Sequence, residues 1–377
     1  MSAHKTTIKL TSAHRVQRDG PETVARFEIH YHQYLNALGE PVHSLPDFAS
    51  DPDRLARLYR AMLLTRIFDT KAIALQRTGQ LGTYASSMGQ EAIGAAIGTV
   101  MRPEDVLLPT YREYAAQFLR GVSMSEILLY WGGDERGMNY QRIREDFPIS
   151  VPVASQTAHA VGVAYAFKYR KQPRIAACVL GDGGTSKGDF YEALNLAGVW
   201  KLPVLFVVNN NQWAISVQRN KQSAATTLAQ KAIAGGIKGE QVDGNDVIAL
   251  CDRMQLALDR IRDTHEPMLI EALTYRLCDH TTADDANRYR PEEEVEAQRI
   301  NDPLHRLKHY MVNNGYWNDQ KEEQLNKACV DEVDTAVKAY LETPPQSPES
   351  MFDYLYEELP DALKEQRSHA AGRKRDD

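Results

Sequence analysis

Four cysteines in 377 residues, Cys178, Cys251, Cys278 and Cys329, are too few and too scattered to form a C-x-x-C pair. That excludes a zinc ribbon or a disulfide framework and fits reduced thiols. There is no apolar run of about 18 residues, so no transmembrane helix is expected. Positive charge is not in excess either. Lys and Arg number 44 against 51 Asp and Glu, a net −7 with histidines neutral, which argues against nucleic acid as a partner. The opening stretch MSAHKTTIKLTSAHRVQRDGPE lacks the apolar centre of a secretion signal. It is basic and carries some Ser and Thr, so a transit peptide stays open, though no clear amphipathic run supports one. Internal repeats and low-complexity tracts are absent, and at this length the chain can bury a large core.

What is present concentrates in residues 175–216. Residues 175–180 are a short apolar run with the β-branched Ile175 and Val179, suited to a buried strand. Gly181-Asp182-Gly183-Gly184 ends it, because glycine permits positive φ and close backbone approach. Residues 188–200 carry Tyr191, Leu194, Ala197 and Val199 at helical spacing, and Pro203 opens a second apolar strand over 204–208. A strand–helix–strand unit of this length predicts a right-handed crossover between parallel strands. Parallel strands bring their carboxyl ends to one edge, where α/β folds bind ligands. Asp182 and Asn210-Asn211 are therefore expected side by side. A carboxylate and a carboxamide oxygen beside free backbone amides suit a hard divalent cation carrying a phosphate. Two rival motifs fail on single residues. A dinucleotide fingerprint would need glycine where Ser186 stands, and a P-loop would need Lys187 after Gly188 instead of before it.

The segment does match Gly-Asp-Gly, 26 residues (184–209), then Asn-Asn, the pattern of thiamine-diphosphate enzymes. With GDGGTSKGDFYEALNLAG and NNNQWAIS around it, the chain resembles the α subunit of the decarboxylating component of 2-oxo-acid dehydrogenase complexes, the bacterial pyruvate dehydrogenase type above all. The resemblance runs from about residue 41 to 366 through GQEAIGAAIG, LPTYREY, QVDGND and DHTTADDANRYR. It implies thiamine diphosphate and Mg²⁺ as cofactors, with Asp182, Asn211 and the backbone carbonyl of Trp213 on the metal. Gly183 and Gly184 would offer amides to phosphate. Tyr111 would stand near the pyrimidine and Arg112 at the diphosphate, where a guanidinium pairs with phosphate oxygens bidentately. Val151 and Val153, in ISVPVASQ, match the segment under the pyrimidine; as plain residues they read as two buried valines. His280 occupies the place of the family's loop histidine beside the diphosphate and the substrate. With an ordinary pKa near 6.5 it would donate a hydrogen bond or a proton near neutrality. His159, in QTAHAVGVA, is expected to be structural. Thr281 and Thr282 stand where mammalian relatives have a phosphoserine. Ala85 and Asn209 depart from relatives that carry a cationic residue at those places.

In such enzymes a glutamate at the pyrimidine belongs to a β subunit, and Glu91 has nothing to place it there, so the chain reads as half an active site. The implied partners are a β subunit (α2β2), the lipoyl domain of the acyltransferase and a small 2-oxo acid. The implied reaction is oxidative decarboxylation of pyruvate, with the thiazolium attacking the 2-oxo carbon and the acetyl group passing to the lipoyl group. A branched-chain or acetoin dehydrogenase α subunit, or a silent organising chain, are the alternatives. Retention of Asp182, Asn211 and Arg112 argues against the silent one. The expected location is the bacterial cytoplasm, with the mitochondrial matrix open.

The expected fold is α/β, a parallel sheet with helices on both faces. Residues 1–52 form an arm without periodicity, 53–343 the α/β body, and 344–377 a linker, an amphipathic segment over 352–366 and a disordered tail. Asp51 or Asp53 would cap the helix after it. Residues 89–100 and 157–168 form helices rich in small residues that let another backbone approach. Residues 268–275 read as a strand, 276–290 as a polar loop, and 304–310 and 322–341 as helices.

Overall fold

In the computed structural model, which describes residues 23–372, the strands in chain order are β1 (Tyr31–His32), β2 (Val106–Leu108), β3 (Ala176–Gly181) and β4 (Val204–Asn210), a short hairpin of β5 (Trp213–Ala214) and β6 (Val217–Gln218), then β7 (Lys238–Asp243) and β8 (Met268–Leu273). Six of them form one sheet in the order β1-β7-β8-β4-β3-β2, every pair parallel. The first six helices are α1 (Pro52–Arg77), α2 (Glu91–Val100), α3 (Tyr114–Arg120), α4 (Met124–Trp131), α5 (Ser155–Tyr169) and α6 (Gly188–Trp200).

The central strands are apolar throughout because both their faces are covered. Ala176, Cys178, Leu180, Val204, Phe206 and Val208 pack with residues of α5 and α6. The alternate residues Ala177, Val179, Leu205 and Val207 pack with α1, α2 and the Val247–Thr264 helix. From β2 to β4 the chain steps across the sheet in one direction, and from β7 to β8 it steps back. Right-handed crossovers of opposite direction put their helices on opposite faces, and the reversal falls at β4 and β8. The carboxyl ends of the strands at such a reversal are where an open α/β sheet leaves room for a ligand.

The helix after the arm is capped by Asp51, whose carboxylate accepts from Asp53 N and Arg54 N at 3.0 Å, with Pro52 at the first helical position. Several expectations are revised. Within the arm, which has no periodicity, β1 extends the sheet by pairing with β7, and Leu35 is buried. The small-residue segment at 89–100 is a helix from Glu91, and its close neighbour is internal. A Cβ on Gly98 would lie 2.7 Å from Ala116 Cα, so α2 is pressed onto α3. Residues 352–366 do not form one segment: Ser350–Asp353 is a single turn, and a separate helix runs Asp361–Gly372. The tail beyond 372 lies outside the described residues, as do residues 1–22 of the arm. No helix among the described residues is long and apolar enough to cross a membrane.

Candidate functional site

Asp182 is the first residue past β3 and Asn211 the first past β4, and the register pairs Gly181 with Asn209. The two side chains thus meet at the same sheet edge, as the strand–helix–strand reading requires. Both are buried. Asp182 Oδ2 has no hydrogen-bond partner, and burial pushes its carboxyl pKa up to about 6, only partly offset by backbone amides of Gly183 and of Asp182 itself. An ionised carboxylate held there without a counterion is costly, so a cation is the chemical complement of the position. Asn211 Nδ2 donates to Gln90 Oε1 at 2.9 Å, which aims the carboxamide, while its oxygen accepts from Trp213 N at 3.2 Å and keeps a lone pair. The Trp213 carbonyl accepts one long bond from Arg276, 3.3 Å, and the indole is anchored away from it by Tyr275 and Glu294. One carboxylate, one carboxamide oxygen and one carbonyl form a hard-oxygen set of the kind Mg²⁺ accepts.

A cleft of about 350 Å³ opens over these residues, lined also by Tyr111, Arg112, Val153, Gly183, Gly184 and His280. Helices α5 and α6 both begin at its rim, and neither has a side-chain N-cap. At α5, Ser155 N and Thr157 N donate to Pro152 O and Ala154 O; the remaining N–H groups of the two first turns and the positive ends of both dipoles suit an anion such as a diphosphate. Gly183 is required by packing, since a Cβ there would stand 2.9 Å from Ala214 Cβ.

Arg112 is buried. Its guanidinium donates to Ser86 O and, at 2.6 Å, to His280 O, and lies 5.2 Å from the centre of the Tyr111 ring. Those bonds leave donors free for a phosphate oxygen. His280 Nδ1 accepts from Arg112 Nη2 at 3.1 Å and Arg276 Nη1 at 3.3 Å, so the hydrogen belongs on Nε2. Burial, then the two guanidiniums, drive its pKa down to about 3. The expectation of an imidazole with an ordinary pKa is therefore revised. His280 is neutral in the cofactor-free chain and can donate a hydrogen bond from Nε2.

Val151 and Val153 are not buried: each is half-exposed, and of the two only Val153 lines the cleft. His159 is exposed at the surface of α5, tilted against Phe147 with ring centres 5.7 Å apart, so its structural role is a surface contact at most. Glu91 is buried and ion-paired with Arg66, and it accepts from Gly89 N at 2.9 Å, far from any role at a ligand. Glu113 also lines the cleft, and its Oε2 accepts from Thr110 N and Oγ1, both at 2.6 Å.

The residue that sequence reasoning missed is Arg276. It is fully buried and donates to Trp213 O, to Ile215 O at 2.9 Å and to Tyr289 Oη at 3.0 Å, as well as facing His280. It ties the loop after β4 to the loop after β8. The segment after β4 is strained: Gln212 and the β-branched Ile215 have φ of 71° and 55°, and Ala154 across the cleft has 66°. Only its place four residues before His280 in TYRLCDH could have signalled it. Gln90, which orients Asn211, was visible in GQEA but had no assigned partner.

Comparison with known proteins follows the same lines. The family model described as "Dehydrogenase E1 component" matches residues 59–349. The pyruvate dehydrogenase E1 component subunit alpha of Acholeplasma laidlawii is 40% identical over 317 residues, 83% of this chain and 92% of that protein. Its namesake from Staphylococcus aureus is 38% identical over 348 residues, 92% of this chain and 93% of that one. The Mycoplasma genitalium protein of the same name is 37% identical over 318 residues, covering 84% and 89%.

Proposed function

Because the chain belongs to the dehydrogenase E1 component family, we propose that it is the α subunit of a thiamine-diphosphate-dependent pyruvate dehydrogenase, active with a β partner. The observation that carries this reading is the unpartnered, buried Asp182 oxygen beside Asn211, beneath two uncapped helix N-termini. Similarity to three bacterial proteins named as pyruvate dehydrogenase α subunits supports the choice of substrate. Membership of the family implies thiamine diphosphate; Mg²⁺ and its ligands Asp182, Asn211 and the Trp213 carbonyl are proposed from the donor set.

The bound cofactor would supply a nucleophilic thiazolium carbon and an electron sink for loss of carbon dioxide. The chain's own residues do the rest. Gly183, Gly184, Arg112 and the starts of α5 and α6 would hold the diphosphate, and Tyr111 and Val153 would flank the rings. His280 offers its Nε2–H toward the space where the substrate would enter, its tautomer fixed by Arg112 and Arg276. Of the two carboxylates among the described residues that line the cleft, Asp182 faces the proposed metal position and Glu113 Oε2 is held by Thr110, so the pyrimidine-side carboxylate is assigned to a β subunit. The acetyl acceptor is the lipoyl domain of an acyltransferase, the body of the molecule spans 53–343, and the location is the bacterial cytoplasm.

Calorimetry with thiamine diphosphate and Mg²⁺, on the chain assembled with its β subunit, tests the reading. Asp182→Ala and Asn211→Ala are expected to abolish metal-dependent binding while leaving the fold intact. Normal affinity in both variants would refute the metal assignment.

A further inference from the structure

Two charged residues outside the lining of the cleft are buried without a task in the chemistry described so far. Glu271 stands in the middle of β8, fully buried, in register with Val208 of β4 and Gln241 of β7. Lys231 lies on the short segment before β7 and is buried as well. A buried charge is a poor source of stability, and apolar residues of like volume often serve better. Both residues spend their hydrogen bonds on the turns around Asp182 and Asn211, and not on an opposite charge. Glu271 Oε1 accepts from Asn210 Nδ2 at 2.6 Å. The other end of that carboxamide, Asn210 Oδ1, accepts from Gln212 Nε2 at 2.8 Å and from Gln212 N at 3.3 Å, so Asn210 clasps the chain on either side of Asn211. Lys231 Nζ donates to Thr185 O at 2.8 Å and to Thr185 Oγ1 at 2.9 Å, and that hydroxyl donates to Asp182 O at 2.7 Å. One further bond joins the two halves. Glu271 Oε2 accepts from Ala229 N at 2.9 Å, and Ala229 and Lys231 share a tight turn in which Lys231 N donates to Leu228 O and Ala232 N to Ala229 O, both at 3.1 Å.

The structure assigns to Glu271 and Lys231 a shared positioning role: they anchor an internal brace that sets the separation of Asp182 and Asn211. This rests on the reading of those two residues as Mg²⁺ ligands. The brace runs from Asp182 through Thr185 and Lys231 to the 228–232 turn, and from there through Glu271 and Asn210 to Asn211. The sheet by itself does not fix that separation. The pairing of β3 with β4 ends at Gly181 and Asn209, and both ligands lie beyond it, so their spacing depends on what holds the two turns. Mg²⁺ demands near-ideal octahedral geometry with oxygens at ~2.0–2.1 Å, whereas Ca²⁺ accepts irregular sets at ~2.3–2.6 Å. A brace that holds the ligands at one spacing therefore favours the smaller ion. It does so against local electrostatics. Burial, then the Arg219 charge, push the Lys231 pKa down while Glu271 and Asp182 push it up, so the ammonium is within electrostatic reach of Asp182. By charge alone, Lys231 would oppose a cation there.

The test is calorimetric titration of Mg²⁺ and, separately, of Ca²⁺ into the chain assembled with its β subunit, in excess thiamine diphosphate. Thermal unfolding in a chelator shows which variants are folded. Lys231→Met removes the ammonium and keeps the reach of the side chain. Glu271→Gln keeps the shape and turns an N–H toward one of its two donors. Hydrogen bonds behind metal ligands are typically worth ~10–100-fold in affinity, so each variant should bind Mg²⁺ at least ~10-fold more weakly. Ca²⁺ should lose less than ~3-fold, because its coordination tolerates a looser set. Thr185→Val, which deletes one hydroxyl from the brace and nothing else, should shift the Mg²⁺-to-Ca²⁺ ratio in the same direction and covers the case in which the other two variants unfold. Folded variants with the wild-type ratio would overturn the role. So would tighter Mg²⁺ binding by Lys231→Met, the result expected of a lysine that acts only through its charge. A wild-type enzyme that binds neither ion would remove the metal site and the brace with it, an outcome distinct from a wild type that binds Mg²⁺ and variants that match it.

Discussion

Replacing Asp182 with asparagine should make the metal-free chain more stable. The carboxyl is buried, one oxygen has no partner, and its pKa stands at about 6 against an ordinary 3.8. A carboxyl whose folded pKa is raised binds its proton more tightly folded than unfolded. It therefore costs nothing below pH 3.8, costs progressively more as pH rises toward 6, and the full amount above that. At ~1.36 kcal/mol per pKa unit, the penalty near neutrality is roughly 3 kcal/mol. Asparagine removes the charge and keeps an acceptor for the backbone amides. It also leaves an amide N–H where the orphan oxygen was, which costs about 1–2 kcal/mol. The net gain is about 1–2 kcal/mol, or ~1–3 °C in Tm for a chain of this size. The measurement is thermal unfolding in a chelator at neutral pH and again below about pH 4, where the charge penalty is gone and the difference should change sign, the amide cost alone remaining. Added Mg²⁺ with thiamine diphosphate should then raise the Tm of the wild type and not that of Asp182→Asn. An Asp182→Asn chain that is no more stable in chelator, or one that still responds to the metal, would refute the argument. The position is a case of function held at the expense of stability.

Other outcomes follow from the same geometry. The ring of His280 should show no protonation between about pH 5 and 8 by NMR in the cofactor-free chain. Because its pKa is lowered, the folded state disfavours the proton, so this group's contribution to stability falls as pH drops below the ordinary 6.5. Arg276→Lys keeps a charge but cannot span Trp213 O, Ile215 O and Tyr289 together. It should weaken metal-dependent cofactor binding by at least ~10-fold, about 1.4 kcal/mol, measured by calorimetry. The chain alone should not turn over pyruvate in a dye-reduction assay and should gain activity with β. In the reconstituted enzyme kcat/KM for pyruvate should exceed that for 2-oxoisovalerate, the gap being modest because a hydrophobic pocket discriminates by only ~1–3 kcal/mol per methylene. A ratio below one would transfer the chain to the branched-chain class.

The strand–helix–strand core was legible because its signals are local: an apolar run, glycines that end it, a helical period, and a second run. The meeting of Asp182 with Asn211 followed from topology alone. What stayed hidden depends on contacts distant in sequence. β1 is two residues long and owes its strand conformation to β7, so no pattern in the arm announces it. The Val247–Thr264 helix follows the QVDGND block and is capped by Asp246, an N-cap signal that went unread. Arg276 looks like any basic residue after a strand until its partners, 61 and 63 positions away, are known. The small residues of α2 carry a period that says a neighbour approaches closely, but periodicity does not say whether that neighbour is α3 or another chain.

The placement of β1 also sets an order in time. Tyr31 pairs with Gln241, Gln33 donates to Asp243 across 210 positions, and Asp246 accepts from Tyr34 N and Leu35 N at 2.7 Å. None of these acceptors exists when the arm leaves the ribosome. At ~5–20 residues per second the arm waits about 10–40 s for them, longer than most helices need to form. The segment around β1, made well before β7, is thus among the late ones to dock. During synthesis the edge of β7 stays open until an earlier-made segment folds back to close it.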